Sequence, residues 1–264
     1  MKEAVNSLKK AISIKPDYAE AFNNLGVAYN KLGLLEEAVR SFEDALKINP
    51  DYPDPHNNLT VVFRKQGLFD NVLKSSKKAI ELMINVIASN PNDSETYNNL
   101  GLAYFEIDSL EKSVESFEAA VFINPRFDEA YNNLGISLER LKRFDDAIKA
   151  FINAENINSE RDYSTGNILN AKMQICSWGN FSNLFNKIEK KVNNNKKIVD
   201  PFNLKAWIDD PALQRKATEI KVNSDFPKNN DLPLTELYSC LLYTSDAADD
   251  SLRVDLGGRR IIKK

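Results

Sequence analysis

Residues Ala19–Tyr52 read AEAFNNLGVAYNKLGLLEEAVRSFEDALKINPDY, and the same text returns twice. Ser94–Phe127 reads SETYNNLGLAYFEIDSLEKSVESFEAAVFINPRF, and Asp128–Arg161 reads DEAYNNLGISLERLKRFDDAIKAFINAENINSER. The period is 34 residues, and large and small side chains recur at fixed places within it. Place 4 holds Phe22, Tyr97 and Tyr131, and places 7 and 8 hold Leu25-Gly26, Leu100-Gly101 and Leu134-Gly135. Place 20 holds Ala38, Ser113 and Ala147; place 24 holds Phe42, Phe117 and Phe151; place 27 holds Ala45, Ala120 and Ala154. Pro50 and Pro125 close the first two copies, where the last has Ser159.

Apolar residues spaced by three, four and seven give a helix one buried stripe, and each copy holds two such runs. The chain reads as antiparallel helix pairs. Glycine and alanine let the helices approach closely, with aromatic rings filling the gap between neighbouring pairs. Proline stops the second helix and sets the turn into the next copy.

This register of large and small places resembles the tetratricopeptide repeat, a helix–turn–helix unit with the same period. The resemblance implies an all-α, right-handed superhelical solenoid of about four and a half repeats, with a helical C-terminal junction. Pro53–Asp93 fits as a longer copy of 41 residues. It keeps Leu59, Phe63, Gly67 and Ala79 in place but has Thr60 for glycine and Val72 for alanine. The excess of seven residues is about two helical turns. It predicts a second helix lengthened in phase through SSKKAIELMINVIASNP. The chain opens within a copy, with Ala4, Leu8, Ala11 and Pro16 at places 20, 24, 27 and 32. Only the second helix of that copy is expected; either Met1 is not the natural start, or that helix serves as an improvised cap.

Composition removes several functions. The 264 residues carry 35 Lys+Arg against 38 Asp+Glu, a net charge of -3, which argues against a general nucleic-acid or membrane-surface binder. No run approaches the roughly 20 apolar residues of a membrane span, and the opening residues are not expected to be a signal peptide. Two cysteines, Cys176 and Cys240, make no disulfide framework, so a cytoplasmic setting is expected. One histidine, His56, excludes a multi-histidine metal site. It stands at place 4, where its counterparts are aromatic, so packing is its expected role. Nine glycines assemble no phosphate loop. No catalytic residue, metal ligand or cofactor site is assigned.

Beyond the repeats, residues 162–195 open in register and then depart from it. SWGNFSNLFNKIEKKV reads as a turn and an amphipathic helix with Phe181, Leu184, Phe185 and Ile188 on one face. NNNKK reads as a loop, and the lysines from Lys190 to Lys197 as solvated. Cys176 beside Trp178 is expected to be buried. Asp210 before Pro211 is a helix start, and the Asp209-Asp210 pair reads as capping rather than as paired catalytic carboxylates.

ICSWGNF followed by PFNLKAWIDDPALQRKA is similar to the junction between repeats and catalytic region in O-GlcNAc transferase and SPINDLY-type glycosyltransferases. The matching residues are Cys176, Trp178, Pro201, Phe202, Leu204, Asp209, Asp210, Pro211, Leu213 and Gln214; Lys205-Ala206-Trp207 departs from the usual small aliphatic step. The resemblance implies that residues 196–239 begin a glycosyltransferase region whose nucleotide-sugar lobes lie beyond them. The UDP-sugar donor is thus implied only for a parent enzyme, a protein O-glycosyltransferase, and this chain is expected to be inactive. Residues 240–264 resemble a translated sequencing-library adapter, and are expected to be a disordered artefact.

Asparagine is abundant, at 31 residues. Place 6 is asparagine in all five readable copies: Asn24, Asn58, Asn99, Asn133 and Asn167. Place 5 adds Asn23, Asn57, Asn98 and Asn132. An amide donates and accepts, so a row of them suits a polypeptide backbone irrespective of its side chains. Helices pack about 8–10 Å apart and an extended peptide advances about 3.3–3.6 Å per residue, so one amide meets about every third peptide residue. The repeats of O-GlcNAc transferase line their groove in this way, and the resemblance implies a protein or peptide acceptor in the concave groove, bound by the five place-6 asparagines. A clamp for a terminal carboxylate is disfavoured, because place 9, where it needs an amide, holds Val27, Val61, Leu102 and Ile136. The remaining alternative is a stand-alone tetratricopeptide scaffold for assembling complexes.

Overall fold

A computed structural model describes residues 2–225, and every regular element among them is an α-helix. In order these are α1 (Lys2–Ile14), α2 (Ala19–Lys31), α3 (Leu35–Ile48), α4 (Pro53–Lys65), α5 (Phe69–Ser89), α6 (Ser94–Glu106) and α7 (Leu110–Ile123). There follow α8 (Asp128–Arg140), α9 (Phe144–Ile157), α10 (Ser164–Gln174), α11 (Phe181–Asn193), α12 (Pro201–Trp207) and α13 (Pro211–Asp225). The adapter-like string, Cys240 and the part of the 196–239 segment after Asp225 lie outside the described residues.

The architecture is the expected solenoid of helix pairs: α2/α3, α4/α5, α6/α7 and α8/α9, with α1 packed on α2 and α10 on α9. The first helices of adjacent pairs also touch one another (α2 with α4, α4 with α6, α6 with α8), whereas the second helices pack chiefly on first helices. A stack closes up on the side where its elements meet, so the first helices form the inner, concave wall.

The two helices of a pair are set by glycine against phenylalanine. Phe42, Phe117 and Phe151 are buried at the centre of their pairs. A Cβ on Gly26 would lie 2.5 Å from Phe42, one on Gly101 2.7 Å from Phe117, and one on Gly135 2.5 Å from Phe151. No side chain fits there unless the ring moves. The rings also reach the first helix of the next pair, as Phe42 does in one core with Leu59 and Val62. They therefore pack within a pair as well as between pairs. The long copy solves the same contact differently. Its place 8 is Thr60 and its place 24 is Ser76, both buried, with hydroxyl oxygens 3.3 Å apart. A larger residue on one helix is matched by a smaller one on the other.

Each turn within a pair is a helix stop with one left-handed residue at place 15: Gly33 (φ 76°), Gly67 (φ 73°), Asp108 (φ 59°) and Lys142 (φ 61°). The paired bonds of a Schellman stop follow, such as Leu34 N–H to Tyr29 O at 3.0 Å and Gly33 N–H to Asn30 O at 3.1 Å. Cys176 (φ 52°) has the same position after α10, with Ser177 N–H bonded to Lys172 O at 2.9 Å. The repeat register thus persists further into residues 162–195 than the side-chain pattern reveals. It also corrects the expectation for Cys176, which is exposed, as is Trp178. A turn that projects its left-handed residue outward leaves no core around it.

The lengthened helix is present: α5 has 21 residues where α3 has 14, in one unbroken helix. The second helices α3, α7 and α9 end at an asparagine whose Oδ1 accepts the N–H two residues on, as Asn49 does from Asp51 at 3.2 Å and Asn124 from Arg126 at 3.1 Å.

The junction closes on the last pair. The backbone at 197–198 accepts Tyr163 N–H (2.7 Å) and Gly166 N–H (3.2 Å) from the start of α10. Leu169, Ile188, Val192, Ile198, Val199, Leu204, Leu213 and Ala217 form one core, so residues 196–225 share their interior with α10 and α11. Asp210 caps α13 as expected, its Oδ1 accepting Ala212 N–H at 2.9 Å and Leu213 N–H at 3.1 Å.

Overpacking at the glycine–phenylalanine contact is expected to lower stability by about 1–3 kcal/mol in Gly101→Ala. Phe117→Ala is expected to cost about 3–5 kcal/mol. The double variant should cost less than both together, because the added methyl occupies part of the vacated space. Urea unfolding of the four proteins measures this coupling; additivity within about 0.5 kcal/mol contradicts it.

Candidate peptide-binding groove

The concave wall is built from α2, α4, α6, α8 and α10, whose first turns carry Glu20, Asp54, Glu95 and Glu129 at place 2. Places 5 and 6 carry the asparagines. The residues at place 9, Val27, Val61, Leu102 and Ile136, are half-buried. The far ends carry linked polar pairs: Lys65 Nζ donates to Asn30 Oδ1 at 2.7 Å, Arg64 pairs with Glu106 at 2.7 Å, and Asn170 donates to Glu139.

The five place-6 asparagines occupy equivalent positions on successive first helices. Asn24, in the first complete pair, is exposed; Asn58, Asn99, Asn133 and Asn167 are half-buried. Their nitrogens engage the preceding repeat. Asn58 Nδ2 donates to Asn23 Oδ1 at 2.9 Å, Asn133 Nδ2 to Asn98 Oδ1 at 3.1 Å, and Asn167 Nδ2 to Asn132 Oδ1 at 3.4 Å. Place 6 of one repeat therefore clips onto place 5 of the previous one. The sequence displays both rows but not their pairing. Asn23 and Asn98 are buried and serve the stack itself.

The long repeat changes this pattern. Asn57 Nδ2 donates to the Asn99 backbone carbonyl at 3.1 Å, and Asn99 Nδ2 reaches Asp54 Oδ1 at 3.4 Å. Asp54 also accepts from Tyr52. Burial, opposed by the Tyr52 hydrogen bond and reinforced by Glu95 and Asp93, holds the Asp54 carboxyl above its ordinary value. Burial, then Asp54 and Glu20, push the Tyr52 phenol up to about 12. The wall is thus more electronegative near the N-termini of α2, α4 and α6.

An amide that spends one N–H on its neighbour keeps its second N–H and both carbonyl lone pairs. Among the described residues, no intramolecular hydrogen bond occupies Oδ1 of Asn58, Asn133 or Asn167, and none of these oxygens is sealed from solvent. The row therefore offers acceptors, one per repeat, for N–H groups of a bound chain. No group of three or more His, Cys, Asp or Glu among the described residues is placed to hold a metal ion. No described helix is long and apolar enough to cross a membrane.

Models of the tetratricopeptide repeat match residues 1–33, 19–52 and 110–159. Among solved structures, the thermophilic tetratricopeptide protein TTC0263 of Thermus thermophilus aligns with 77% of this chain and 99% of its own at 20% identity and a TM-score of 0.52. The pilF protein of Pseudomonas aeruginosa aligns with 88% of this chain and 97% of its own at 18% identity and a TM-score of 0.50. No curated protein sequence matches. At these identities the structural likeness speaks for the fold, which is a tetratricopeptide-repeat solenoid.

His56 is half-buried at place 4, and burial, then Lys78, hold its imidazole below the ordinary 6.5. The unfolded chain takes a proton near that pH and the folded protein resists it. The resulting stability is present above pH 6.5 and is lost as pH falls through the lower folded value. His56→Phe, which places here the residue that the first complete repeat has as Phe22, should flatten this acid-side loss. Urea midpoints of both proteins between neutral and mildly acidic pH read it; parallel curves would contradict it.

Proposed function

We propose that the concave wall binds an extended polypeptide, whose backbone N–H groups donate to the place-6 amides Asn24, Asn58, Asn99, Asn133 and Asn167. The observation carrying this reading is the regular row of Oδ1 acceptors left over after the amides have clipped the repeats together. Neither the row nor the apolar place 9 selects for particular side chains. Each net hydrogen bond contributes about 0.5–1.5 kcal/mol, so useful affinity needs several in register.

We further propose that the arm comes from an O-GlcNAc-transferase-like protein glycosyltransferase, with the bound polypeptide as acceptor and the sugar donor held elsewhere in the parent. The support is the residue series from Cys176 and Trp178 to Asp210, Pro211, Leu213 and Gln214. A stand-alone scaffold for complex assembly is favoured by a different observation. Residues 196–225 cover the last helix pair with a shared core, as a capping element does. Gene sequence running uninterrupted beyond Ser239 separates the two: nucleotide-sugar-binding lobes support the first, an early stop the second. An unpaired, exposed Cys176 suits a cytoplasmic, reducing setting.

Peptides selected on this protein from a random displayed library test the groove. The triple variant Asn58→Ala, Asn99→Ala, Asn133→Ala is expected to weaken them roughly tenfold or more. Asn98→Ala removes an inter-repeat bond without removing a place-6 acceptor. It should lower thermal stability while retaining peptide affinity. Equal affinity of the triple variant and the parent protein would defeat the amide-row reading.

A further inference from the structure

Where α11, α12 and α13 meet, a cavity of about 350 Å³ opens between Phe185, Trp207 and Leu213. Its size is at the lower end for ligand pockets, enough for a single side chain rather than a cofactor. Its walls are of two kinds. Phe185 and Trp207 supply aromatic surface over the buried Leu213. Glu189, Asp209 and Asp210 supply three carboxylates. Glu189 lies one helical turn beyond Phe185, hence on the same face of α11. Among the described residues no cation pairs with Glu189 or Asp209. Asp146 and Glu160, by contrast, are each paired with two cations.

The walls are braced. Gln214 Nε2 donates to Ile208 O at 2.6 Å and fixes the turn between α12 and α13. Asp210 spends Oδ1 on the N–H groups of Ala212 and Leu213, which leaves Oδ2. Phe185 meets Phe181 edge-on at 4.9 Å between ring centroids, and Phe181 meets Trp178 at 5.1 Å.

Aromatic side chains beside carboxylates that lack an ion-pair partner favour a cation with an apolar stem. Guanidinium fits better than ammonium: it is planar, weakly hydrated, stacks on rings and forks onto carboxylates. We propose that this cavity binds an arginine side chain of a partner polypeptide. The site is separate from the amide row and stands whether or not that row binds peptide.

The sequence has two tryptophans, so Trp178→Phe in the full chain leaves Trp207 as the sole indole reporter. Titration with N-acetyl-arginine amide should give a saturable change in Trp207 fluorescence that weakens with added salt. N-acetyl-citrulline amide, isosteric but neutral, should give no saturable change, and N-acetyl-lysine amide should bind several-fold more weakly than the arginine probe. Glu189→Gln with Asp209→Asn should weaken the arginine probe at least tenfold with unchanged far-ultraviolet circular dichroism. Absence of saturation with the arginine probe overturns the proposal. So does equal binding of the citrulline or lysine probe, or unchanged affinity in the folded double variant.

Discussion

A phenylalanine ring resting on a helix that has no Cβ sets the spacing inside each regular repeat. With Cβ positions only 2.5–2.7 Å from the ring atoms, nothing larger than glycine is accommodated unless the ring shifts. Everything downstream inherits that spacing, because each ring also packs on the first helix of the following pair. The exception shows that the constraint concerns shape. Thr60 and Ser76 exchange the sizes of the two partners, and their hydroxyls meet where the ring would lie.

Regular spacing is what aligns the amides. Asn23 with Asn58, Asn98 with Asn133 and Asn132 with Asn167 are each 35 residues apart, one period plus one place. Where α5 adds two turns, the equivalent neighbours Asn57 and Asn99 stand 42 residues apart and bond through a backbone carbonyl instead. The extension stays in phase, so the row continues but its hydrogen-bond partners are reassigned. Asp54, Tyr52 and Asn99 then form a half-buried polar cluster at that step. The concave wall is consequently regular in position but uneven in charge.

The C-terminal segment follows the same logic. The left-handed turn at Cys176 repeats the stop found at Gly33, Gly67, Asp108 and Lys142, after which longer connections and the backbone at 197–198 replace the next repeat. A solenoid end has an apolar face, and Ile198, Val199, Leu204 and Leu213 cover the one left by α10 and α11. That covering brings α11, α12 and α13 together and creates the aromatic–acidic cavity as a by-product.

The helix pairs, the in-phase extension of α5 and the cap at Asp210 were legible in the sequence, because each rests on spacing along one helix or one turn. The rows at places 5 and 6 were legible as rows. Which amide donates to which was decided only by the tertiary structure, since that pairing depends on how far one helix is displaced past the next. The size exchange between Thr60 and Ser76, the exposure of Cys176, and the meeting of Phe185, Trp207 and Asp209 were likewise decided there. Local spacing fixes which face of a helix is apolar; what that face meets depends on contacts between residues distant in the chain.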